Sequence, residues 1–302
     1  MDLTAAGRTE VLLWLADELR RLRGSRSRAD AARRIGTTAG HIGHLETGRN
    51  PPSRMDIEGL LDLYGATDQV ERLCALRDAS RHAQDWWSEY ADLLQSPVQA
   101  WLGLEAVAAR LHTFDSHVLP ALFQIAPYTE AVLRAQQASH EDQQRRLIEF
   151  EQHRQHIQNE RADPAQLLAI IDEQVLHRLV GDATVMRHQL THLARASLQP
   201  HVTIRVLPRD RGLHTSTDAA FAIATMPSHF GPHPGGVFVP SHVHRGWLQN
   251  PPDRDVAAIR QGACYRRQRE IQTYRATWER LREQTLDPER SREIIEQTRR
   301  DW

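Results

Sequence analysis

The chain of 302 residues contains no lysine, so all 38 of its basic residues are arginine. With a formal net charge of −1 this bias reads as a coding preference. Bulk attraction to nucleic acid is excluded, and any DNA affinity has to come from a local patch. Cysteine is nearly absent: Cys74 and Cys264 are too few for a disulfide framework or a thiolate zinc site, and a reducing cytoplasm is expected. Long apolar runs are missing too. The run Val11 to Ala16 leads straight into DELRRLR and reads as neither signal peptide nor membrane span. There is no glycine-rich phosphate loop, no Gly-x-Ser-x-Gly elbow and no His-Glu-x-x-His helix, so no cofactor is expected.

What is present begins with SRADAARRIGTTAGHIGHLETGRNPP, residues 27–52. Ala31, Ala32 and Ile35 supply the inner face of a short helix, Gly36 makes a turn, and Ile42 with Leu45 buries a second helix against the first. Leu12, Leu15, Leu19 and Leu22 predict an opening helix over 9–23. Met55, Ile57, Leu60, Leu61 and Leu63 predict another, stopped at Gly65. These make a helical domain of residues 1–66, followed by a long helical connector over 67–95. Beyond it, Leu104, Val107 and Leu111 mark a helix, and 141–161 a polar helix with a thin stripe of Leu147, Phe150, His153 and Ile157. A helix carries Val185, Met186, Leu190 and Leu193, and a final one Ile271, Tyr274, Trp278 and Leu281. Strands are expected at 167–171, 202–207, 220–224 and 237–239. Residues 96–302 therefore read as a larger α+β domain for ligand or partner binding, in a chain that is α+β and mainly helical.

The helix-turn-helix segment, closed by Glu46, Thr47, Gly48 and Arg49, resembles the lambda-repressor-like, XRE-type regulators. The series WWSEYADLL, VLPALFQIAPYTEAVL, IIDEQVLHRLVG, VTIRVLP and YRATWERLREQTLDPERS resembles the antitoxin-like C-terminal domain of actinobacterial members. The resemblance is weakest between Pro227 and Gly262. It implies a regulator whose second short helix enters the DNA major groove, working as a homodimer on two half-sites. Arg28, Arg33, Thr38, His41, His44 and Arg49 are then the DNA-binding candidates. Within residues 1–65, ten arginines face nine carboxylates, and the second helix offers Ala39, Gly40 and Gly43 where base-reading side chains are wanted.

Two further constellations stand out. His229, His233, His242 and His244 crowd one stretch, but glycine and proline separate them and no carboxylate accompanies them, so exposed loop histidines are expected and no metal. Trp86, Trp87, Trp101, Phe114, Phe123 and Tyr128 offer the aromatic lining of a small-molecule pocket, with Gln124 among its polar groups. His112, His117 and His214 with Glu105 and Glu173 are candidates for proton transfer there. Two classes of function thus stand open. One is a cytoplasmic DNA-binding regulator with a ligand-sensing second domain. The other reuses the scaffold as a cofactor-free biosynthetic cyclase working by dehydration and Michael-type addition on a small-molecule substrate.

Overall fold

The computed structural model describes residues 7–136, 141–214, 220–227, 235–240, 262–266 and 268–302. They divide into two units, one ending at Ser88 and the other running from Glu89. Among the described residues no helix is long and apolar enough to cross a membrane.

The first unit holds α1 (Arg8–Arg23), α2 (Arg28–Arg34), α3 (Ala39–Leu45), α4 (Arg54–Tyr64) and α5 (Val70–His82). Leu15, Leu19, Ile42, Leu45, Ile57, Leu60, Leu61 and Leu73 are almost wholly removed from water, the main source of stability for so small a body. Met55 of the expected apolar stripe stays out, 81% exposed in the first turn of α4. That helix starts with a reciprocal cap, Ser53 Oγ accepting from the Asp56 N–H and the Asp56 carboxylate accepting from the Ser53 N–H. The stretch 67–95 is not one helix. It comprises a 3-10 turn at Thr67–Gln69, then α5, then a second 3-10 turn at Ser88–Leu93, and α5 packs against α1 and α4. Past α5 the chain returns to its beginning: Asp85 accepts from the Thr9 N–H at 2.9 Å and the Thr9 hydroxyl at 2.6 Å. Gly7, the residue preceding α1, has no side chain with which to cap it, so a carboxylate 76 residues away from Thr9 does so.

The second unit runs α6 (Ser96–Val107), β1 (Arg110–Asp115), α7 (Ala126–Ala135), α8 (Glu141–Asn159), β2 (Gln166–Asp172), α9 (Glu173–His177), α10 (Ala183–Ala196), β3 (Val202–Leu207), β4 (Phe221–Thr225), β5 (Gly236–Pro240), β6 (Gly262–Tyr265), α11 (Gln268–Gln284) and α12 (Pro288–Asp301). The sheet order is β3-β2-β1-β4-β5-β6. Its first three strands are parallel, and β4, β5 and β6 follow antiparallel from β1. The α+β class and four of the strands match expectation. The helix expected through Leu111 instead ends at Val107, because the Ala109 N–H donates to Thr225 O and Ala109 O accepts from Gln166 N–H, committing the chain to the sheet. The strand β6 and the closing helix α12 were also not foreseen.

Alternation divides the sheet into two faces. Phe114, Ile170, Phe221, Ile223 and Val237 join Ile271, Trp278 and Leu281 of α11 in one core. On the other face Trp101 of α6 stacks on Phe238 at 5.8 Å. At the β3 edge, the Val206 N–H donates to Ser291 Oγ and Val206 O accepts from the Leu286 N–H, both 2.9 Å.

Replacing Asp85 by Ala is expected to destabilise the first unit by about 1 kcal/mol. Hydrogen exchange should show the loss at the amides of residues 9–12, leaving the second unit unchanged.

Candidate functional site

Ser27 starts α2 by accepting from the Asp30 N–H, and Thr38 starts α3 by accepting from the His41 N–H, each at 3.1 Å. Between them Gly36, at φ +68°, makes the reversal that side-chain-bearing residues resist. Ala31, Ala32, Ile42 and Leu45 face inward as expected. Gly48, at φ +74°, lets the turn after α3 press on α1, since a Cβ there would lie 3.1 Å from Leu13 Cδ2.

Beneath this turn lies Glu46, 2% exposed. It accepts from Arg23 Nε at 2.5 Å, Arg23 Nη2 at 3.2 Å and Arg28 Nε at 2.8 Å, binding the ends of α1, α2 and α3 together. Its bond raises the Arg23 pKa above the ordinary guanidinium value. The arginines bunched between 20 and 34 are mostly committed. Arg20 pairs with Asp17, Arg21 with Glu18, Arg33 with Asp30 and Arg34 with Asp62. Ala39, Gly40, His44 and Arg49 lie exposed around α3, and Thr38 with them, whereas His41 and Gly43 are partly covered. Neither Arg26 nor Arg49 has a carboxylate partner among the described residues. Thus the structure gathers Arg28, Thr38, His41, His44 and Arg49 about one helix, while Arg33 sits on α2 with an exposed carboxylate of its own.

In the second unit the expected pocket residues do not converge on a ligand-sized space. Phe114 and Tyr128 are fully buried, and Trp87 belongs to the first unit. A cleft does open between α6, α8 and the segment 120–123, floored by the register partners Thr113 and Ala222 and walled by Trp101, Phe123 and Leu122. Its empty space, mouth included, is about 360 Å³, of which about 40 Å³ admits the centre of a water molecule. That holds a few waters. At its end Arg154, which the sequence did not single out, makes a two-pronged pair with Glu105 (Nε to Oε1 2.6 Å, Nη2 to Oε2 2.5 Å) and reaches Glu151 at 3.2 Å. Burial alone would lower the Arg154 pKa, but the two carboxylates outweigh it and hold the group above its usual value. Trp101 Nε1 donates to the same Glu105 at 2.9 Å.

Of the proton-transfer candidates, Glu105 and His112 both line this cleft, while His117, Glu173 and His214 do not line it. The His112 ring packs edge-on against Trp278, 4.8 Å between centroids, and its Nδ1 is buried with no hydrogen-bond partner among the described residues. Burial, helped by Arg110 and Arg275, lowers its pKa to about 4, so the ring is neutral at pH 7. His117 Nδ1 lies 3.2 Å from Ser116 Oγ, and Glu173 accepts from the Arg209 N–H at 3.0 Å. His214 Nε2 lies 3.3 Å from Asp172, a residue missed by the sequence reading. Among the described residues no group of three ligands could hold a metal ion, and His229, His233, His242 and His244 lie outside the described residues.

Gln155 and Gln189, also unforeseen, fix the segment 119–125 together with Gln124 and Tyr128, which the sequence assigned to a pocket. Gln155 Nε2 donates to Ala121 O and Gln124 O, both at 2.8 Å. Gln189 Nε2 donates to Phe123 O at 2.7 Å, and its Oε1 accepts from the Ile125 N–H at 2.8 Å. Gln124 itself donates to Leu119 O at 2.5 Å, and the Tyr128 hydroxyl oxygen accepts from the Leu119 N–H at 3.3 Å. Polar residues at helical spacing normally signal a solvated face, and only their recurrence as glutamine could have hinted otherwise.

The model of a family described as a domain of unknown function (DUF5753) matches residues 98–297, and that of a helix-turn-helix domain matches residues 14–74. No curated protein and no solved structure matches the chain. The first unit is accordingly a helix-turn-helix domain.

Two outcomes follow from this geometry. Gln189→Leu strands Phe123 O and the Ile125 N–H in the interior and is expected to cost about 2–4 kcal/mol in urea unfolding. For His112, the unfolded ring takes up a proton below about pH 6.5 and the folded ring only below about 4. Between these values the unfolded state binds more protons, so stability falls as pH drops through that window, by about 3 kcal/mol in all. In His112→Phe this part of the loss between pH 7 and pH 4.5 should vanish.

Proposed function

Because the chain belongs to the family described as a domain of unknown function (DUF5753) and carries a helix-turn-helix domain ahead of that match, we propose that it is a DNA-binding transcriptional regulator of the XRE type. The observation that carries this reading is the outer side of α3. It stays exposed opposite Ile42 and Leu45, with Thr38, His44 and Arg49 around it and Arg28 brought alongside from α2. Such a helix is sized for the major groove.

The charge arrangement sets the expected mode of binding. A near-neutral domain cannot hold DNA by bulk field, so Arg49 and Arg33 act as discrete phosphate anchors. The Arg33–Asp30 pair is solvent-exposed, and a pair of that kind contributes little enough for a phosphate to displace Asp30. Two copies of the chain would occupy the two half-sites of an operator. The second unit is assigned the sensing of a small molecule at its cleft, in the reducing cytoplasm that the cysteine usage suits. A ligand enters there by shifting Ala121 and Leu122, the partly exposed side chains of the covering segment.

Gel shifts of the full chain on DNA from upstream of its own gene test this. Retardation is expected at about 50 mM salt, weakening as salt rises. Arg33→Ala and Arg49→Ala should each weaken all sequences alike and reduce the slope of log affinity on log salt by about one. No retardation at low salt by protein that is folded and dimeric overturns the regulator reading.

A further inference from the structure

We propose that Arg28 reads a guanine, supplying from α2 the bidentate base contact that α3 lacks; this rests on the regulator reading above. The outward residues of α3 include Ala39, Gly40 and Gly43, none able to hydrogen-bond a base through its side chain. His41 and His44 can each offer a single ring nitrogen, but no side chain of α3 presents the two coplanar donors of a bidentate base contact.

Arg28 is the first residue of α2, and its Nε is spent on the buried carboxylate of Glu46 at 2.8 Å. That bond fixes one edge of the guanidinium. The opposite edge, Nη1 and Nη2, makes no hydrogen bond to any described residue, and the side chain is 46% exposed. Glu46 is shared with Arg23, so the three groups together keep a net positive charge and Arg28 is not neutralised.

The position of that free edge distinguishes a base from a phosphate. A Cβ built on Gly43 would lie 3.6 Å from Arg28 Nη1 and 3.8 Å from Cζ. Gly43 shares its side of α3 with Ala39, Gly40 and Thr47, three and four residues away, which is the exposed side. The guanidinium therefore lies against the face that enters the groove, beside Gly43, whereas Arg33 stands farther along α2. Two coplanar donors held there match the O6 and N7 acceptors of guanine. Anchoring by Glu46 removes the rotamer freedom that an arginine otherwise loses on binding. A Cβ at position 43 would just touch this guanidinium, so a side chain branching beyond it would compete for the same space.

Selection of binding sites from a randomised duplex pool by the full chain, followed by affinities for every single-base change in the selected site, tests the assignment. One position in each half-site should prefer G·C over the other pairs by roughly ten-fold or more. Arg28→Lys, which keeps the charge and loses the fork, should bring that preference to within about three-fold and leave the other positions and the salt slope unchanged. Gly43→Val, whose methyls occupy the space of the guanidinium, should do the same, with thermal unfolding confirming that the domain is intact. An unchanged base preference in Arg28→Lys overturns the proposal. So does a uniform loss across all duplexes in Arg28→Ala with the salt slope reduced by one, which marks a phosphate contact. Absence of any DNA binding by the wild-type chain overturns the regulator reading itself and is told apart by that.

Discussion

A backbone that crosses a protein interior outside helix or strand has to find a partner for each amide it buries. The second unit meets that requirement at Leu119–Ile125, where the chain leaves β1 and makes only a short 3-10 turn before α7. Side-chain amides from α8 and α10 take the places of a missing neighbouring strand. Because the same segment covers the cleft and carries Phe123 into it, the cleft's shape follows from those glutamines. The helices α8 and α10 are thereby tied to the parallel half of the sheet by directed bonds as well as by packing.

The two units use charge in the same way at different depths. Exposed arginine–carboxylate pairs are numerous, and each contributes little. The buried ones are different in kind. Removing Glu46 would leave Arg23 and Arg28 without their shared counter-charge, and removing Arg154 would do the same to Glu105 and Glu151. With all 38 cations present as arginine, every such pair is made by a planar group able to bond along two edges. This is why one guanidinium can serve a carboxylate and still present donors outward.

The legible parts of the sequence were those in which local pattern and final environment agree. In the helix-turn-helix, small residues meet small spaces and Gly36 sits at a positive φ. In β2 a short apolar run, and in β3 alternation, met a buried environment. The strand β1 was hidden because Leu104, Val107 and Leu111 fall at helical spacing, and only the sheet's own hydrogen bonds end the helix at Val107. The strand β6 is four residues long and α12 is mostly polar, so neither offers an apolar period. Of the cleft's lining, Trp101, Phe123, Glu105 and His112 were foreseen, but Phe114 and Tyr128 were drawn into the core. Arg154, Gln155 and Gln189 were missed since long polar side chains on helices ordinarily mark the outside. Their role depends on which segment happens to lie opposite, which a single sequence does not encode locally.

The bonding at Val206 bears on how this chain avoids its own kind. An edge strand with unpaired amides is a template on which another chain can add a strand, and that route leads to aggregates as readily as to ordered assemblies. At β3 the outward donor and acceptor of Val206 are already taken, by the Ser291 hydroxyl and the Leu286 amide. The turn into α12 therefore acts as a stopper on that margin of the sheet. A neighbouring copy seeking to extend the sheet there would first have to unseat the start of α12.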